Sequence, residues 1–315
     1  MLLVFGSINL DLAFRTALLP QPGQTVLGHG LLISPGGKGA NQAHAAARDG
    51  ARTTLVAAVG SDAMANAALP LLRAAGVDLS ALQRLPGSTG CASIAVDDAG
   101  QNQIIVAPGV NLALRHEAVS DELLKAQRAV LLQMETDPGQ NLTVLQRARA
   151  AGCLTLLNNA PAQALGDEMR GLIDVLIVNQ GELLITARAA GLGTSGLADG
   201  SASDHQHDST DRLARLLRAL APSPAHSLVL TRGAQGALAW HQGELWQAPA
   251  LPVVAVDTTG AGDTFCGVLA AALARGWTMA AALQRACVAA SLACRAHGAQ
   301  SAQPDALHIN RAQAT

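Results

Sequence analysis

The residues best suited to chemistry in this chain lie in the segment 256–265, where an aspartate directly follows a glycine turn. An apolar stretch follows at 265–274, which predicts that the turn opens a packed helix. Backbone N–H groups at a helix start lack intrahelical partners and could hold an anion. The three residues in that position are Gly260, Ala261 and Gly262. Asp263 would lie beside such an anion, where a carboxylate binds phosphate poorly but can take a proton from a hydroxyl group.

The same segment also has a purely structural interpretation, in which Asp257 or Asp263 caps the helix. The pattern alone does not choose between capping and phosphoryl transfer, so the other motifs must decide. If an anion does bind here, a branched side chain at Gly262 is expected to intrude on it and to strain the turn.

A second glycine-rich segment lies near the N-terminus, where residues 35–42 read PGGKGANQ ahead of a helical pattern. Its glycines would allow the backbone to approach a ligand closely, and Lys38 and Asn41 would direct donors to the same helix start. Lys38 is one of only two lysines in the chain. A glycine turn with a solvated lysine is the competing interpretation.

Polar residues follow two of the predicted strands. Asn9 and Asp11 follow the first strand at a spacing of two, which turns both side chains to one side of an extended segment. Glu135 ends another strand. Ligands of open α/β sheets bind at the carboxyl edge of the strands, so these groups are candidates for binding sugar hydroxyls. Asn and Asp at strand ends are also common turn formers.

Two later segments add candidate nucleotide contacts. Asn179 and Glu182 are three residues apart and would share one side of a first helical turn. Glu182 is a candidate for holding Mg²⁺ through water, although capping by Asn179 explains the same pair. A glycine turn with Thr231, Gly233 and Gly236 follows another strand and is suited to contact nucleotide phosphates through its backbone.

Short apolar runs alternate with helical patterns along the chain, which predicts an α/β fold with a mostly parallel central sheet flanked by helices. The predicted strands are residues 2–5, 54–59, 130–134, 154–157, 175–178 and 228–230. Strands within about 12–34 and 90–107 fall outside this series and are expected to form a small β-sheet lid over the carboxyl ends. We expect one domain over residues 1–315.

Composition excludes several classes of function. The formal net charge is -2, and three Phe, three Trp and no Tyr leave few rings for base stacking, so nucleic-acid binding is not expected. The N-terminal sequence has neither a basic segment nor a long apolar stretch, so no signal peptide or membrane span is expected. Five scattered cysteines without a C-x-x-C pair indicate reduced core residues and a cytoplasmic protein.

A polar stretch at 193–211 lacks an apolar period and is predicted to be a flexible surface insertion. Residues 191–196 match G-x-G-x-x-G, the pattern of dinucleotide-binding dehydrogenases. The match follows a helical segment instead of a strand, so it lacks the strand, turn and helix that such a site needs.

Five motifs together resemble the ribokinase family of sugar kinases, the PfkB group, and occur in the order of that family between residues 6 and 304. They are GSINLD at 6–11, PGGKGANQA at 35–43, NQGE at 179–182, TRGAQG at 231–236 and DTTGAGDTF at 257–265. The resemblance implies that Asp263 is the catalytic base and that Gly260, Ala261 and Gly262 form the anion hole. It also implies that Asn179 and Glu182 govern the Mg²⁺ and phosphate site.

The sugar site implied by the resemblance uses seven residues beside Asp263. They are Asn9, Asp11, Gly37, Lys38, Gly39, Asn41 and Glu135. The nucleotide would be held by Asn179, Glu182, Thr231, Gly233, Gly236 and Gly262. Relatives often have an Asn flanking the adenine where this chain has Cys287, which alters the predicted base pocket and leaves the strictness of ATP preference open.

Within the family, the first two motifs and the sequence GAQ at 298–300 are similar to those of the ribokinases, which also bind a monovalent cation. This similarity implies a K⁺ site with two side chains and four backbone carbonyls. Its members would be Asp257 and Thr259, with the carbonyls of Ala293, Ala296, Gly298 and Ala302.

The resulting expectation is an ATP-dependent kinase that phosphorylates D-ribose at its 5-hydroxyl, with Mg²⁺ and K⁺, acting as a homodimer through the lid. One alternative is a related kinase for fructose, deoxyribose, a sugar acid or a nucleoside. Another is a sugar-binding regulator without catalysis, which the presence of Asp263 disfavours because a binder has no use for a base.

Overall fold

The protein is described by a computed structural model that covers residues 1–194 and 210–314. Its strands are β1 (Leu2–Phe5), β2 (Asn9–Thr16), β3 (Gly28–Gly36), β4 (Thr53–Val56), β5 (Ala58–Gly60), β6 (Gln83–Leu85), β7 (Gly90–Asp97), β8 (Asn102–Ala107), β9 (Ala129–Gln133), β10 (Leu154–Asn158), β11 (Val175–Asn179), β12 (Ser227–Thr231), β13 (Ala237–His241) and β14 (Glu244–Ala248).

The helices alternate with these strands. They are α1 (Lys38–Arg48), α2 (Ala63–Ala67), α3 (Pro70–Ala74), α4 (Asp121–Lys125), α5 (Pro138–Ala150), α6 (Asp167–Gly171), α7 (Gln180–Ala189), α8 (Thr210–Leu220), α9 (Ala261–Ala274), α10 (Met279–Ala293) and α11 (Ala306–Gln313). Within the described residues, no helix is both long and apolar enough to span a lipid bilayer.

In the described part of the chain, eight strands form the central sheet, in the order β14-β13-β12-β11-β10-β9-β1-β4. The six strands from β12 to β4 in this order pair in parallel, which confirms the predicted fold class. One predicted strand is wrong at its end: 54–59 divides into β4, in the central sheet, and β5, which pairs with β6 instead.

The antiparallel strands β13 and β14 at the sheet edge were not predicted. Their turn is the pair Gln242 and Gly243, both with positive φ. Such two-residue turns match the natural twist of a hairpin, but Gln is an unusual first residue for them. The usual Asn-Gly or Asp-Gly signal is therefore missing from the sequence.

A separate four-stranded sheet, called here the small sheet, has the order β3-β2-β7-β8. It confirms that strands within 12–34 and 90–107 lie outside the parallel series, although β2 already begins at Asn9. Only three residues separate the end of β1 at Phe5 from this strand. The chain therefore passes directly from the carboxyl edge of the central sheet into the small sheet.

The central sheet is buried on both faces. In β1, Leu2 and Val4 contact one hydrophobic core, which α1, α9 and α10 cover, while Leu3 and Phe5 contact a second core on the opposite face. This alternation explains why the strands are continuous apolar runs, as expected where helices cover both faces of a parallel sheet.

Most of the predicted insertion 193–211 lies outside the described residues. Its predicted end is wrong, because residues 210 and 211 belong to helix α8. Four leucines of that helix face the second core at a helical spacing, namely Leu213, Leu216, Leu217 and Leu220. The G-x-G-x-x-G match at 191–196 begins after helix α7, as expected, and its last two residues are not described.

Helices α1 and α9 pack closely at a glycine. A Cβ atom added to Gly267 would lie 2.3 Å from the backbone oxygen of Gln42 and 2.9 Å from Cβ of Ala45. No real Cβ tolerates such distances, so the absence of a side chain at Gly267 sets the separation of the two helices.

We therefore predict that Gly267→Ala lowers the free energy of unfolding by about 1 to 3 kcal/mol, because the added methyl group forces α1 and α9 apart. Gly262→Ala is the matched control on the same helix, since a Cβ there meets no atom within 4 Å. Urea denaturation of both variants measures the difference. Equal stability of the two variants would contradict this account of the helix contact.

Candidate active site

Helix α9 begins with the segment that the sequence singles out. Its N-cap is Gly260, with φ of 73° and no side-chain capping bond. A Cβ at Gly260 would lie 2.7 Å from Cα of Ala299, so glycine is required here for both conformation and space. The expected strain at Gly262 is wrong: its φ is not positive, and its missing Cβ would project into open space.

Asp263 lies in the first turn of α9 with its side chain buried. Its Oδ2 accepts a hydrogen bond from Nδ2 of Asn41 at 2.9 Å, and its Oδ1 accepts one from Nε2 of Gln42 at 2.9 Å. Both donors come from α1. Because the carboxylate bonds to another helix, the capping interpretation of Asp263 is wrong, and the side chain is held at the site by α1.

A cavity of about 150 Å³ lies against Asp263 and the start of α9. Lys38, Asn179, Glu182 and Thr231 also line it. The carboxylate of Asp263 raises the pKa of Lys38, burial opposes that rise, and Glu135 and Glu182 add to it. Lys38 is therefore a cation close to the carboxylates of Asp263, Glu135 and Glu182. Its side of the cavity faces the same space as the start of α9.

The glycines of the segment 35–42 pack against the first motif. A Cβ on Gly37, whose φ is 90°, would lie 2.7 Å from the backbone nitrogen of Asn9. One on Gly39 would lie 2.5 Å from the backbone nitrogen of Ser7, and one on Gly36 would lie 2.2 Å from the Asp11 carboxylate. These glycines are therefore required for the packing of the second motif against the first, and contact of their backbone with a ligand stays a prediction.

Glu135 joins these two motifs. Its Oε2 accepts hydrogen bonds from Oγ of Ser7 at 2.5 Å and from the backbone nitrogen of Lys38 at 3.0 Å. Asn9 is buried, and its Oδ1 accepts a hydrogen bond from Nδ2 of Asn111 at 2.8 Å. Asn9 and Glu135 line one cavity of about 230 Å³.

Asp11 lies on β2 close to this group. Burial raises its pKa to about 7, and the carboxylates of Glu135 and Asp263 add to that effect while Lys38 opposes it. An unliganded Asp11 carboxylate is therefore a poorly solvated charge in the neighbourhood of other acids. Hydroxyl groups of a ligand could supply the hydrogen bonds that it lacks.

A larger cavity of about 470 Å³ opens on the other side of the α9 start. Thr231 and Gly262 line both this cavity and the smaller one at Asp263, so the two are contiguous. Its remaining lining is mostly apolar and includes Gly233 and Gly236, residues 250–253, Ala255, the side of α10 that carries Cys287 and Ala290, and Cys294 directly after that helix.

Cys287 lies in that apolar wall, as the sequence suggested. Burial raises the pKa of its thiol to about 12, so the group stays neutral at physiological pH. The nearby Ser291 is occupied, because its Oγ donates to the backbone oxygen of Cys287 at 2.9 Å and accepts from the backbone nitrogen of Leu251 at 3.1 Å. The wall therefore offers a ligand mainly apolar contacts.

Asn179 and Glu182 form a capping box at the start of α7. Oδ1 of Asn179 accepts from the backbone nitrogen of Glu182 at 2.8 Å, and Oε2 of Glu182 accepts from that of Asn179 at 2.8 Å. Burial raises the pKa of Glu182, as does Asp263, while the hydrogen bond from Asn179 and the charge of Lys38 oppose the rise. Glu182 also lines the cavity at Asp263.

Asp257 binds a loop that follows α10. Its Oδ1 accepts from the backbone nitrogen of Thr259 at 2.9 Å, and its Oδ2 accepts from that of Gly298 at 3.0 Å. Burial acts to raise the pKa of Asp257, but these hydrogen bonds and His297 hold it below its ordinary value. Among the described residues, no donor bonds to four nearby backbone oxygens, those of Ala293, Ala296, Gly298 and Ala302.

The structure thus brings the predicted residues to one edge of the central sheet as three neighbouring groups: Asn9, Asp11, Asn41 and Glu135; Lys38, Glu182 and Asp263; Thr231, Gly233 and Gly236. The sequence did not single out Asn111, Gln42 or Gln300, which hold the side chains of the first two groups. Gln42 lies in the motif at 35–43 and Gln300 in the sequence GAQ at 298–300. An amide side chain inside a helix or turn nevertheless carries no distinctive signal.

Comparison with known proteins finds similarity along nearly the whole chain. The profile described as pfkB family carbohydrate kinase matches residues 1–306. Mouse ribokinase is 33% identical over 309 residues, which cover 96% of this chain and 91% of the relative.

Two solved structures are similar over nearly the whole chain. Ribokinase from Thermotoga maritima has a TM-score of 0.88 and 27% identity, with 100% of this chain and 99% of the other covered. Arabidopsis thaliana ribokinase, complexed with ribose and ATP, has a TM-score of 0.86 and 28% identity, with coverage of 99% and 97%.

The raised pKa of Asp11 predicts a pH-dependent stability of the ligand-free protein. Because the folded pKa lies above the unfolded value, the protonated group favours folding below about pH 4, and this contribution is lost as the pH rises through about 7. Asp11→Asn should therefore raise the free energy of unfolding at pH 8, by on the order of 2 to 4 kcal/mol, and change it little at pH 4.

Thermal melting at both pH values measures this effect, with exposed Glu122→Gln as the control for a lost surface carboxylate. A stabilisation by Asp11→Asn that is the same at pH 4 and pH 8 would contradict the charge explanation.

Proposed function

The chain belongs to the pfkB family of carbohydrate kinases, and on that premise we propose that it transfers the terminal phosphoryl group of ATP to the 5-hydroxyl of D-ribose. The observation that carries this proposal is the position of Asp263. Its carboxylate lies between a polar group that suits a sugar and a contiguous cavity that suits a nucleotide.

The proton acceptor in this mechanism is Asp263. Asn41 and Gln42 each donate a hydrogen bond to one of its carboxylate oxygens, which fixes the direction of the carboxylate. The acceptor takes the proton of the sugar hydroxyl as that oxygen attacks the phosphorus, and the bond to the leaving phosphate of the nucleotide breaks.

The transferring phosphoryl group would be stabilised by backbone N–H groups at the start of α9, from Gly260, Ala261 and Gly262. The open space at Gly262 leaves room for it. Lys38 faces the same cavity, so we assign it a contact with this phosphoryl group in addition to its proposed place beside the sugar.

The sugar would bind between the first two motifs, on Asn9, Asp11, Asn41 and Glu135, with the backbone at Gly37 and Gly39 completing the wall. Asp11 supports this assignment because its buried carboxylate gains the hydrogen bonds that it lacks in the ligand-free protein. The small sheet would act as a lid, since β2 and β3 carry Asp11 and Gly36 at its inner end.

The nucleotide would place its base in the apolar cavity beside Cys287 and its phosphates on the turn with Thr231, Gly233 and Gly236. A base held mainly by an apolar wall is selected by shape more than by hydrogen bonds, so we expect preference for ATP over other purine nucleotides to be modest.

Two metal ions fit the residues present. Glu182 and Asn179 would govern Mg²⁺, which prefers oxygen ligands and neutralises phosphate charge when bound. K⁺ would be held by Asp257 and Thr259 with the carbonyl oxygens of Ala293, Ala296, Gly298 and Ala302. The fit rests on those four oxygens, which lack hydrogen-bond donors among the described residues, and on the lowered pKa of Asp257.

We also propose a cytoplasmic homodimer that pairs through the small sheet. Large apolar side chains on β3 and β8 are exposed on this sheet, namely Leu31, Leu32, Ile33, Ile104 and Ile105. A second copy would bury them. The five free cysteines suit a reducing compartment.

The experiment that tests the function is a coupled assay of ADP release over pentoses, hexoses and nucleosides. We expect D-ribose to give the highest kcat/KM. A higher value for deoxyribose, fructose, a sugar acid or a nucleoside would replace ribose as the substrate. Absence of ADP release with every sugar would favour a sugar-binding regulator.

Asp263→Asn should lower kcat by at least about 10²-fold with little change in sugar KM, because it removes the proton acceptor at nearly constant volume. Steady-state kinetics at saturating substrates measures this loss. The exposed Asp167→Asn is the control and should keep full activity. Wild-type kcat in a folded Asp263→Asn variant would exclude Asp263 as the base.

Replacement of K⁺ by tetramethylammonium at constant ionic strength should depress kcat or raise the apparent KM without unfolding the protein, because the organic cation cannot enter a carbonyl cage. Asp257→Ala should abolish the difference between the cations, since it removes the one full negative charge of the proposed site. Identical rates of the unmutated enzyme in both salts would refute the proposed K⁺ site.

A further inference from the structure

The buried amide side chains around Asp263 form two chains of hydrogen bonds that end on its two carboxylate oxygens. In the first chain, Nε2 of Gln133 donates to Oε1 of Gln42 at 2.7 Å, and Nε2 of Gln42 donates to Oδ1 of Asp263 at 2.9 Å. In the second, Nε2 of Gln300 donates to Oδ1 of Asn41 at 3.0 Å, and Asn41 donates to Oδ2 of Asp263.

All four amides point their NH₂ groups towards the carboxylate. The outermost oxygens, Oε1 of Gln133 and Oε1 of Gln300, are buried and accept no hydrogen bond among the described residues. A buried oxygen without a hydrogen-bond donor raises the free energy of the folded state. The four amides therefore keep their common direction despite this cost. The feature that points to a functional site is the convergence of two such chains on one buried carboxylate, because unpaired buried atoms occur elsewhere in the protein as well.

The orientation of Gln42 follows from its neighbours. Its Nε2 also donates to Oδ1 of Asn158 at 3.0 Å, so both of its amide hydrogens are used. A reversed amide would turn its oxygen towards the acceptors of Asp263 and Asn158 and its NH₂ towards the NH₂ of Gln133. That alternative loses all three hydrogen bonds, so the direction of the chain is fixed.

We propose that Gln42, supported by Gln133, is a positioning residue that holds the Asp263 carboxylate by a hydrogen bond and directs its free lone pairs to the substrate side. This inference deepens the proposed function, because it rests on Asp263 as the base. Amide N–H groups hold their protons throughout the physiological pH range, so the chains can supply hydrogen bonds but no proton. The proton that Asp263 accepts must then come from the open side, where the sugar hydroxyl would lie.

The first test compares kcat as a function of pH at saturating sugar and ATP. Gln42→Leu should lower kcat by about 10-fold and move the acidic limb of the profile to higher pH by about one unit, because loss of a charge-assisted hydrogen bond disfavours the carboxylate. KM for sugar and nucleotide should not change. Gln133→Leu should act in the same direction with a smaller effect, about threefold.

Other titratable groups that face Asp263 are Lys38 on α1, Asp11 on β2, Glu182 on α7 and the thiol of Cys266 on α9. At saturating sugar, titration of Asp11 that weakens sugar binding does not lower kcat, so the acidic limb of kcat reports on the bound enzyme. Gln127→Leu is the matched control, because Gln127 is also a buried glutamine with a donating Nε2 and an unpaired Oε1 but lies remote from the site. It should leave the profile unchanged.

The second test needs no activity. A double-mutant cycle on the free energy of unfolding, with Gln42→Leu and Asp263→Asn in the absence of substrates, should be clearly non-additive. The cycle of Gln127→Leu with Asp263→Asn should be additive. This test distinguishes the inference from the proposed function, because it holds for whichever sugar the protein phosphorylates, or for none.

A folded Gln42→Leu variant with the wild-type kcat and acidic limb would overturn the proposal, as would an additive cycle between positions 42 and 263. If Gln42→Leu does not fold, Gln133→Leu decides in its place: a wild-type profile in that variant would equally overturn it.

Discussion

The carboxylate of Asp263 is buried, and a buried charge requires hydrogen bonds from its surroundings. Those bonds come from Asn41 and Gln42 on α1, so the site exists only where α1 and α9 lie at the correct separation. Gly267 sets this separation, because no side chain comes between the helices at that point. The geometry around Asp263 thus depends on a helix contact one turn beyond it.

The same contact brings two independent motifs into one site. The start of α1 carries Lys38 and lies against the first motif through Gly37 and Gly39, while the start of α9 carries the glycine turn. Their N-termini converge at the carboxyl edge of the parallel strands. The first N–H groups of α1 are already bonded, that of Lys38 to Glu135 and that of Ala40 to Ser7, so an anion would be held at the start of α9. Lys38 is the positive charge among Asp263, Glu135 and Glu182. The raised pKa values of Asp11 and Glu182 indicate how little solvation remains for these acids before a ligand binds.

The sequence predicted those parts of the structure that local rules govern. The parallel strands follow from their apolar runs, and Asn9, Glu135 and Thr231 could be placed at one edge because parallel strands share it. The sequence singled out the glycines of the second motif for contact with a ligand, and it did not predict that Gly37 and Gly39 also pack against the first motif. Long-range packing of this kind leaves no periodic signal.

The amide residues were not predicted as part of the site for a related reason. Nothing in the sequence distinguishes Gln42 or Gln300 from other glutamines. In the folded chain, Gln42 donates a hydrogen bond to Asp263, which is 221 residues away, and Gln300 donates one to Asn41, which is 259 residues away. The hairpin of β13 and β14 was missed because Gln242 adopts a positive φ that is uncommon for its residue type. The surface insertion predicted at residues 193–211 lies mostly outside the described structure.

The central claim is that Asp263 lies between a bound sugar and the terminal phosphate of a nucleotide. A crystal structure with D-ribose and a non-hydrolysable ATP analogue tests it most directly. The account predicts the terminal hydroxyl oxygen of the sugar within about 2.6 to 3.2 Å of an Asp263 carboxylate oxygen, and the terminal phosphate on the backbone N–H groups of residues 260–262. A complex with both ligands bound and the sugar hydroxyl directed away from Asp263 would contradict it.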